Sequence, residues 1–427
     1  MSIKVLMFGW EFPPHIAGGL GTACYGLTKG LAKHGVEILF VMPKAGGDED
    51  QSAVRIINAS DVELVNTRLE QEAFWKNVDF VRVESNLVPY LDPETFERQV
   101  HQTLKAGERE ERITFRNKFQ FSGQYGANLM EEVARYALVA GSIAARQQFD
   151  VIHAHDWLTY MAGIVAKQIS GKPLVVHVHA TEFDRSGEQV NRPVYDIERR
   201  GMMAADRVVT VSNLTRNIVI SRYGIPSEKV ITVHNAVDFQ TRKELEVERG
   251  VKEKVVTFLG RITYQKGPEY FIESAHKVLQ RYPNVRFVMA GSGDMLNRSI
   301  RRVAQLKMAT RFHFTGFLRG EEVQKMFSYS DVYVMPSVSE PFGISPLEAM
   351  RSGVPTIISK QSGVAEVLKH SMKVDFWDVD AMADAIYGLL TYPALPKVVG
   401  KEGLEEVNQL KWEHAALKIK SIYETLS

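Results

Sequence analysis

Residues 255–290 read VVTFLGRITYQKGPEYFIESAHKVLQRYPNVRFVMA. An apolar run rich in β-branched side chains, Val255–Leu259, gives way to a helix-period stretch, Pro268–Arg281, and then to a second apolar run, Val285–Ala290, which is the signature of a parallel βαβ unit. The same rhythm continues downstream: helix Met295–Leu306, strand Phe312–Phe314, helix Glu321–Ser328, strand Val332–Met335, helix Ser345–Arg351 and strand Thr356–Ile358. It also runs upstream. Strands are predicted at Ile3–Phe8, Val36–Met42, Asp150–Ala154, Leu174–His179, Arg207–Val211 and Val230–Val233, separated by helices at Thr22–Lys33, Ala127–Arg146, Tyr160–Gln168, Arg192–Ala204 and Leu214–Arg222. Between the two series lies Lys243–Lys254, with eight charged residues of twelve, a stretch able to bury almost nothing and so a domain boundary.

The fold class that follows is α/β, with two Rossmann-like doubly wound domains. The expected organisation is 1–240 for the first domain, 241–254 for a linker, 255–410 for the second domain and 411–427 for a terminal helix able to cross back to the first. Residues 46–126 fit the rhythm poorly and are read as an insertion, with ten charged residues of twenty-two in Glu97–Lys118. Two such sheets facing each other make a cleft, and a hinge is expected near Asp238–Lys254.

At 427 residues the chain is too long for one small core, and ~150 residues per domain leaves room for two large ones. Its 45% apolar, 24% charged and 10% aromatic content is that of an ordinary globular protein, which removes the disordered, collagenous and disulfide-stapled classes. Lys plus Arg (52) nearly cancels Asp plus Glu (51), so no global field favours nucleic acid or an anionic membrane. The single cysteine, Cys24, forms no internal disulfide, which suits the cytoplasm. No apolar run approaches the ~18 to 20 residues of a membrane span, and the opening MSIKVLMFGWEFPP has no signal-peptide core.

In open α/β sheets ligands bind beyond the carboxyl ends of the strands, so the residues just after strands carry the chemistry. Gly18-Gly19-Leu20-Gly21-Thr22 follows the first strand and opens a helix, where backbone amides can meet a phosphate; a turn that needs glycine for φ alone is the alternative. The spacing is not G-x-G-x-x-G and no acid ends the second strand, which argues against a nicotinamide enzyme. His153 and His155, followed by Asp156, pair on one strand face, and His177 pairs with His179 on the next. The pairs suit either a metal-dependent hydrolase or hydrogen-bonded core histidines with only Asp156 and His179 reaching the cleft. Arg261 and Lys266 follow a strand in GRITYQKG, a fork and a point charge suited to a diphosphate. The sharpest feature is Glu340-Pro-Phe-Gly-Ile-Ser-Pro-Leu-Glu348. Its two carboxylates, eight residues apart across a loop and a helix start, can face one ligand, one toward a sugar and one toward ribose hydroxyls, with the loop backbone at Phe342, Gly343 and Ile344 toward phosphate between them.

Taken together, GWEFPP…GGLGT, HAHDW at 153–157, the strand ending in His179, TVSN at 210–213, HNAVD at 234–238, GRITYQKG at 260–267 and E-x7-E resemble the retaining glycosyltransferases of the two-Rossmann (GT-B) fold, in the group of bacterial glycogen and starch synthases and related family-4 transferases. The resemblance spans nearly the whole chain. It implies Glu340 against the donor hexose, Glu348 on the ribose, Arg261 and Lys266 on the departing diphosphate, and Gly18 and Gly19 presenting amides to it. His179 would contact the donor sugar near the anomeric centre, and Asp156 would support the acceptor side. Glycogen synthases usually carry lysine two residues before the paired glycines. Here that position is Ile16, one cation fewer for the diphosphate.

The resemblance implies hexosyl transfer with retention, most simply of glucose from ADP- or UDP-glucose to an α-1,4-glucan. Transfer to another sugar, polysaccharide or lipid-linked acceptor is the variant within the class. The competing classes, a metal-dependent hydrolase and a nucleotide-sugar epimerase, leave E-x7-E beside GRITYQKG unexplained. No cofactor, metal, nucleic acid or integral membrane partner is expected; of the two D-x-D strings, Asp48-Glu49-Asp50 lies in a polar loop and Asp378-Val379-Asp380 precedes an apolar helical run as a cap.

Overall fold

Strands of a parallel sheet covered on both faces bury nearly every side chain, which is why they read as unbroken apolar runs. In the computed structural model, which describes residues 2–15, 18–64, 118–126, 128–237, 250 and 252–426, these runs form two sheets in two compact units. Ile16, the body of the charged run and linker residues 238–249 and 251 lie outside the described residues.

The first unit comprises residues 1–236 with 412–427. Its strands are β1 (Lys4–Phe8), β2 (Glu37–Met42), β3 (Arg55–Asn58), β4 (Val151–His155), β5 (Leu174–Val178), β6 (Arg207–Thr210) and β7 (Val230–Thr232), all parallel, in the order β3-β2-β1-β4-β5-β6-β7. Val5 to Phe8 are fully buried at the centre. Helices Leu129–Arg146 and Trp157–Ser170 pack together over the sheet. Tyr136 of the former donates its hydroxyl to Val41 O at 2.7 Å and Gly9 O at 3.1 Å, fixing the ends of β1 and β2.

The second unit, Val237–Lys411, holds β8 (Lys254–Leu259), β9 (Val285–Ala290), β10 (Phe312–Gly316), β11 (Val332–Met335), β12 (Thr356–Ser359) and β13 (Met372–Val374), also parallel, in the order β10-β9-β8-β11-β12-β13. Both sheets therefore follow the doubly wound order in which the first strand sits between the second and the fourth. Where this unit begins, Val237 N donates to Leu410 O at 3.3 Å, so its two chain ends are neighbours.

Helix Trp412–Glu424 belongs to the first unit and lies on helix Gly19–Lys33. Two glycines make room for it: a Cβ on Gly26 would fall 2.2 Å from Trp412 Nε1, and one on Gly30 would fall 2.8 Å from Ala416 Cβ. The helix buries Trp412, Ala416, Ile419, Ile422 and Tyr423 and is pinned by the Lys33–Glu413 ion pair and by Lys420 Nζ donating to His34 O at 2.8 Å.

The helices Arg192–Ala204, Pro268–Arg281 and Ser345–Arg351 have the bounds the sequence predicts. Three elements correct that reading. β3 lies inside the stretch taken as insertion, so Arg55–Asn58 belongs to the sheet; its half-buried edge position lacks the apolar run of an inner strand. β13, three residues with an exposed Lys373, escapes for the same reason. Helix Ala394–Val407 contains Pro396, Gly400 and Gly403, residues that read as breakers; here a Cβ on Gly400 would fall 2.6 Å from Gly353 O, so the glycine serves close packing. Asp378 caps the helix Val379–Thr391, accepting from Ala381 N at 2.9 Å.

Candidate active site

Each sheet has its switch point where the first strand borders the fourth, between β1 and β4 and between β8 and β11. Crevices open there because the connections leave in opposite directions. Gly18 and Gly19 follow β1, Asp156 follows β4, Arg261 and Lys266 follow β8, and Glu340 follows β11. His179 lies one strand further along, after β5.

In the second unit the loops after β8 and β11 are locked together. Gly267 takes φ +64° and passes so close to the next loop that a Cβ would lie 2.2 Å from Pro336 O, which leaves glycine alone able to occupy the position. Val338 N donates to Gln265 O at 2.9 Å, and Glu340 is clamped by its own N to Gln361 O at 3.0 Å and by its O from Gly363 N at 2.9 Å. This framework holds an ion pair between Lys266 Nζ and Glu340 Oε2, with side chains 19% and 7% exposed, and Ser337 Oγ donates to the same carboxylate oxygen at 3.1 Å. Arg261 Nη2 donates to Gln265 Oε1 at 2.9 Å, which orients its fork. The loop then turns through Phe342, buried, and Gly343 at φ +98° to Ile344, from which the helix Ser345–Arg351 carries Glu348. Burial pushes the Glu348 carboxyl above its ordinary range, against the opposing pull of Arg351.

In the first unit Gly18 has φ −175°, an extended conformation open to any residue, and Gly19 has no positive φ. Among the described residues, chain neighbours aside, a Cβ on either would meet no atom within 4 Å. Neither backbone strain nor packing among the described residues therefore asks for glycine at either position. Glu11, buried at the end of β1, holds that start in place by accepting from Gly21 N at 3.0 Å.

The four histidines form a stack. His153 and His155 lie 4.3 Å apart between ring centres and His177 and His179 4.4 Å apart. His153, His155 and His177 are buried, and His179 is half-buried. Burial holds all four imidazoles below the usual histidine range, His179 at about 3, so they are neutral at physiological pH. His153 Nδ1 meets the Tyr423 hydroxyl of the terminal helix, and His155 Nδ1 meets His179 Nε2 at 2.9 Å. His153 is thus a hydrogen-bonded core residue, whereas neither nitrogen of His177 has a partner among the described residues.

Asp156 is 2% exposed and accepts from the amides of His179 at 2.7 Å and Ala180 at 3.3 Å. It takes φ +60° and ψ 171°, a region nearly reserved for glycine, at a cost of about 1–3 kcal/mol. Burial raises its pKa to about 6, against the pull of Arg185 and the two amides. The sequence placed Asp156 at the cleft surface; the fold places it beneath, tying the end of β4 to the loop that carries His179.

With this geometry in view, comparison with known proteins is specific. Residues 240–406 match the family "Glycosyl transferases group 1", and residues 4–233, more than half of the chain, match the family "Starch synthase catalytic domain". The chain belongs to the starch synthase family of glycosyltransferases. It is 27% identical over 441 residues to an uncharacterized glycosyltransferase of Methanocaldococcus jannaschii, an alignment covering 99% of this chain and 98% of the relative. It is 24% identical over 435 residues to a glycogen synthase of Mycobacterium tuberculosis, covering 99% and 94%. Among solved structures, sucrose-phosphate synthase from Thermosynechococcus elongatus matches with a TM-score of 0.69 at 19% identity, covering 99% of both chains. Anabaena HepE in complex with UDP and glucose matches with a TM-score of 0.69 at 16% identity, covering 99% of this chain and 100% of that one. The fold is GT-B.

In this glycosyltransferase Lys266 and Glu340 meet in the second unit, with Arg261 in the same loop as Lys266 and the turn through Phe342, Gly343 and Ile344 leading to Glu348; in the first unit Asp156 meets the His179 backbone, and Gly18 and Gly19 stand at a helix start after β1. Sequence reasoning missed the supporting residues. Ser337 and Gln265 lie three and one residues from Glu340 and Lys266, yet nothing local marks a serine or glutamine as the partner of a carboxylate or a guanidinium. Glu11 sits inside the quoted GWEFPP motif, ten residues before the amide it caps. Gly26 and Gly30, one helical turn apart, were a readable sign of another helix packed closely there.

Proposed function

We propose that this transferase moves a hexosyl unit, glucose from ADP- or UDP-glucose, onto an α-1,4-glucan with retention of configuration. The observation that carries the reading is the Lys266–Glu340 pair at the β8/β11 switch point beside Arg261, a cation and a carboxylate buried where a doubly wound sheet takes its ligand. Lys266 has three N–H donors and can keep Glu340 while giving another to a diphosphate oxygen, with Arg261 beside it. Negative charge develops on the leaving diphosphate, so fixed cations there lower the barrier more than they tighten ground-state binding. Glu340 orients the hexose, Glu348 takes the ribose, Gly18 and Gly19 offer open amides to the phosphate, and neutral His179 hydrogen-bonds the sugar. Asp156 acts on His179 through its backbone.

Glu340 is engaged by Lys266 and Ser337 and serves as an orienting group. Attack then comes from the same face as departure: the anomeric carbon loses its bond to the diphosphate oxygen, gains one to the acceptor hydroxyl, and the acceptor proton passes to the leaving phosphate. No cofactor and no metal enters this scheme. The relatives include an alpha-maltose-1-phosphate synthase of Mycolicibacterium smegmatis, 29% identical over 313 residues covering 65% of this chain and 79% of that one, which favours a phosphorylated small sugar as the second acceptor class. No described helix is long and apolar enough to cross a membrane; cytoplasmic action on a water-soluble acceptor is the accompanying proposal. The test is a panel of nucleotide sugars against glycogen, maltooligosaccharides, simple sugars and sugar phosphates, with the anomeric configuration of the product read by NMR. Glucan elongation with retention is expected. Failure to elongate with every glucose nucleotide rejects the substrate, and an inverted product rejects the mechanism.

A further inference from the structure

Buried thiols and imidazoles that converge from different elements are the donor set of a zinc site. Cys24 on helix Gly19–Lys33, His155 at the end of β4 and His179 in the loop after β5 each offer a ligand atom, and these atoms all lie within 4.8 Å of one another. Cys24 and His155 are fully buried and His179 is half-buried.

The ligand atoms are close to where a metal would want them. Around a tetrahedral ion with bonds of about 2.0–2.1 Å to nitrogen and about 2.3 Å to sulfur, neighbouring donors stand roughly 3.3–3.6 Å apart. His155 Nδ1 and His179 Nε2, now 2.9 Å apart in a hydrogen bond, need only a small opening, and the thiol an approach of no more than about 1.2 Å. The hydrogen bond also shows that the two rings already aim nitrogens at one another, with their planes tilted by 36°. The neighbouring trio His153, His155 and His177 offers three buried nitrogens at similar spacing but differs in one decisive respect. Its rings are stacked face to face, with interplanar angles of 17°, 15° and 29°. An imidazole lone pair lies in the ring plane, so stacked rings direct their lone pairs along parallel planes and cannot converge on one ion. The sulfur-containing trio lacks that obstacle.

We infer that Cys24, His155 and His179 bind one zinc(II) ion, and that the bound ion reversibly inhibits transfer. On binding, the Cys24 thiol releases its proton to solvent, the imidazole that carries the shared proton shifts it to its other ring nitrogen, and the ion gains one sulfur and two nitrogen bonds. His179 is thereby withdrawn from the donor. The inhibitory half rests on the role proposed above for His179; the binding half does not.

The experiment uses the full chain with cobalt(II) as the spectroscopic substitute for zinc, followed by zinc titration of whatever transfer the donor panel reveals. Expected are one cobalt ion per chain with a thiolate-to-cobalt charge-transfer band, displacement of cobalt by zinc, and inhibition by micromolar zinc that EDTA reverses. Cys24→Ala should keep its basal activity, lose the thiolate band and become at least tenfold less sensitive to zinc. The cobalt spectrum of the unaltered chain stands even if that variant folds poorly. Cobalt binding without a thiolate band, or equal zinc sensitivity in the two chains, overturns the site. A thiolate band in an enzyme that zinc leaves fully active overturns the inhibition, and with it the role of His179, while transfer itself stands.

Discussion

Replacing Lys266 by alanine separates the two duties assigned to it. Lys266 and Glu340 are 19% and 7% exposed, so deletion of the lysine strands the carboxylate in a largely enclosed position with Ser337 as its remaining side-chain partner. Breaking one side of a buried pair costs about 3–5 kcal/mol; with the lysine partly open to water, the lower end of that range applies. Pairing the change with Glu340→Gln removes the stranded charge, and most of the lost stability should return. Activity should not return. Loss of one fixed donor to developing charge lowers turnover by about 10²–10³-fold, equivalent to about 2.7–4 kcal/mol. The assay is kcat at saturating donor, with glucan affinity and denaturant unfolding measured on the same preparations. Lys266→Ala turning over at the parental rate under saturating donor would refute the phosphate role, and a loss confined to donor KM would show ground-state binding instead.

Other perturbations address separate parts of the molecule. Gly18→Ala and Gly19→Ala place a methyl group in open space and should leave stability within about 0.5 kcal/mol while raising donor KM about tenfold; an unchanged KM would show that no phosphate approaches there. Activity should persist in excess EDTA, and abolition that manganese alone restores would count against a metal-free diphosphate site. Acid should destabilise the first unit. Its four histidines have depressed pKa values, so their stabilising contribution is present above the unfolded value of about 6.5 and lost as pH falls, while Asp156 and Glu198, raised to about 6 and about 7, oppose the trend because the native state keeps their protons. As pH falls from about 6.5 toward about 5 the unfolded chain therefore takes up histidine protons that the native state refuses, and stability to urea should fall; unfolding that is flat across this window would exclude it.

What the sequence disclosed follows from where its information is local. The inner strands are legible because burial on both faces leaves an unbroken apolar run, as in Val255–Leu259, and the loops after them are legible because glycine, proline and isolated charges punctuate such runs. Edge strands such as Arg55–Asn58 carry no such run, with Arg55 exposed and the other three residues only half-buried. Of the site, the residue types at each strand end were readable, but their partnerships were not. Lys266 and Glu340 are separated by 74 positions, and only the crossover that puts β11 beside β8 makes them neighbours. Asp156 shows the same limit from another side. Its type and position in HAHDW were visible, whereas its positive φ and its hold on the His179 amide emerge only once β4 and β5 stand side by side.

The terminal helix sets the order in which this protein can be completed during synthesis. Its first unit runs to residue 236, is interrupted by the whole of the second, and is finished only by residues 412–427. A ribosome therefore delivers the entire second sheet before it delivers the side chains that fill the groove over Gly26 and Gly30 and the hydroxyl that meets His153. The second unit, its ends held together at Val237 and Leu410, is free to mature while the nascent first unit still waits with that groove uncovered. Loss of residues 412–427 would thus fall on the earliest-made part of the molecule, leaving the later-made sheet untouched.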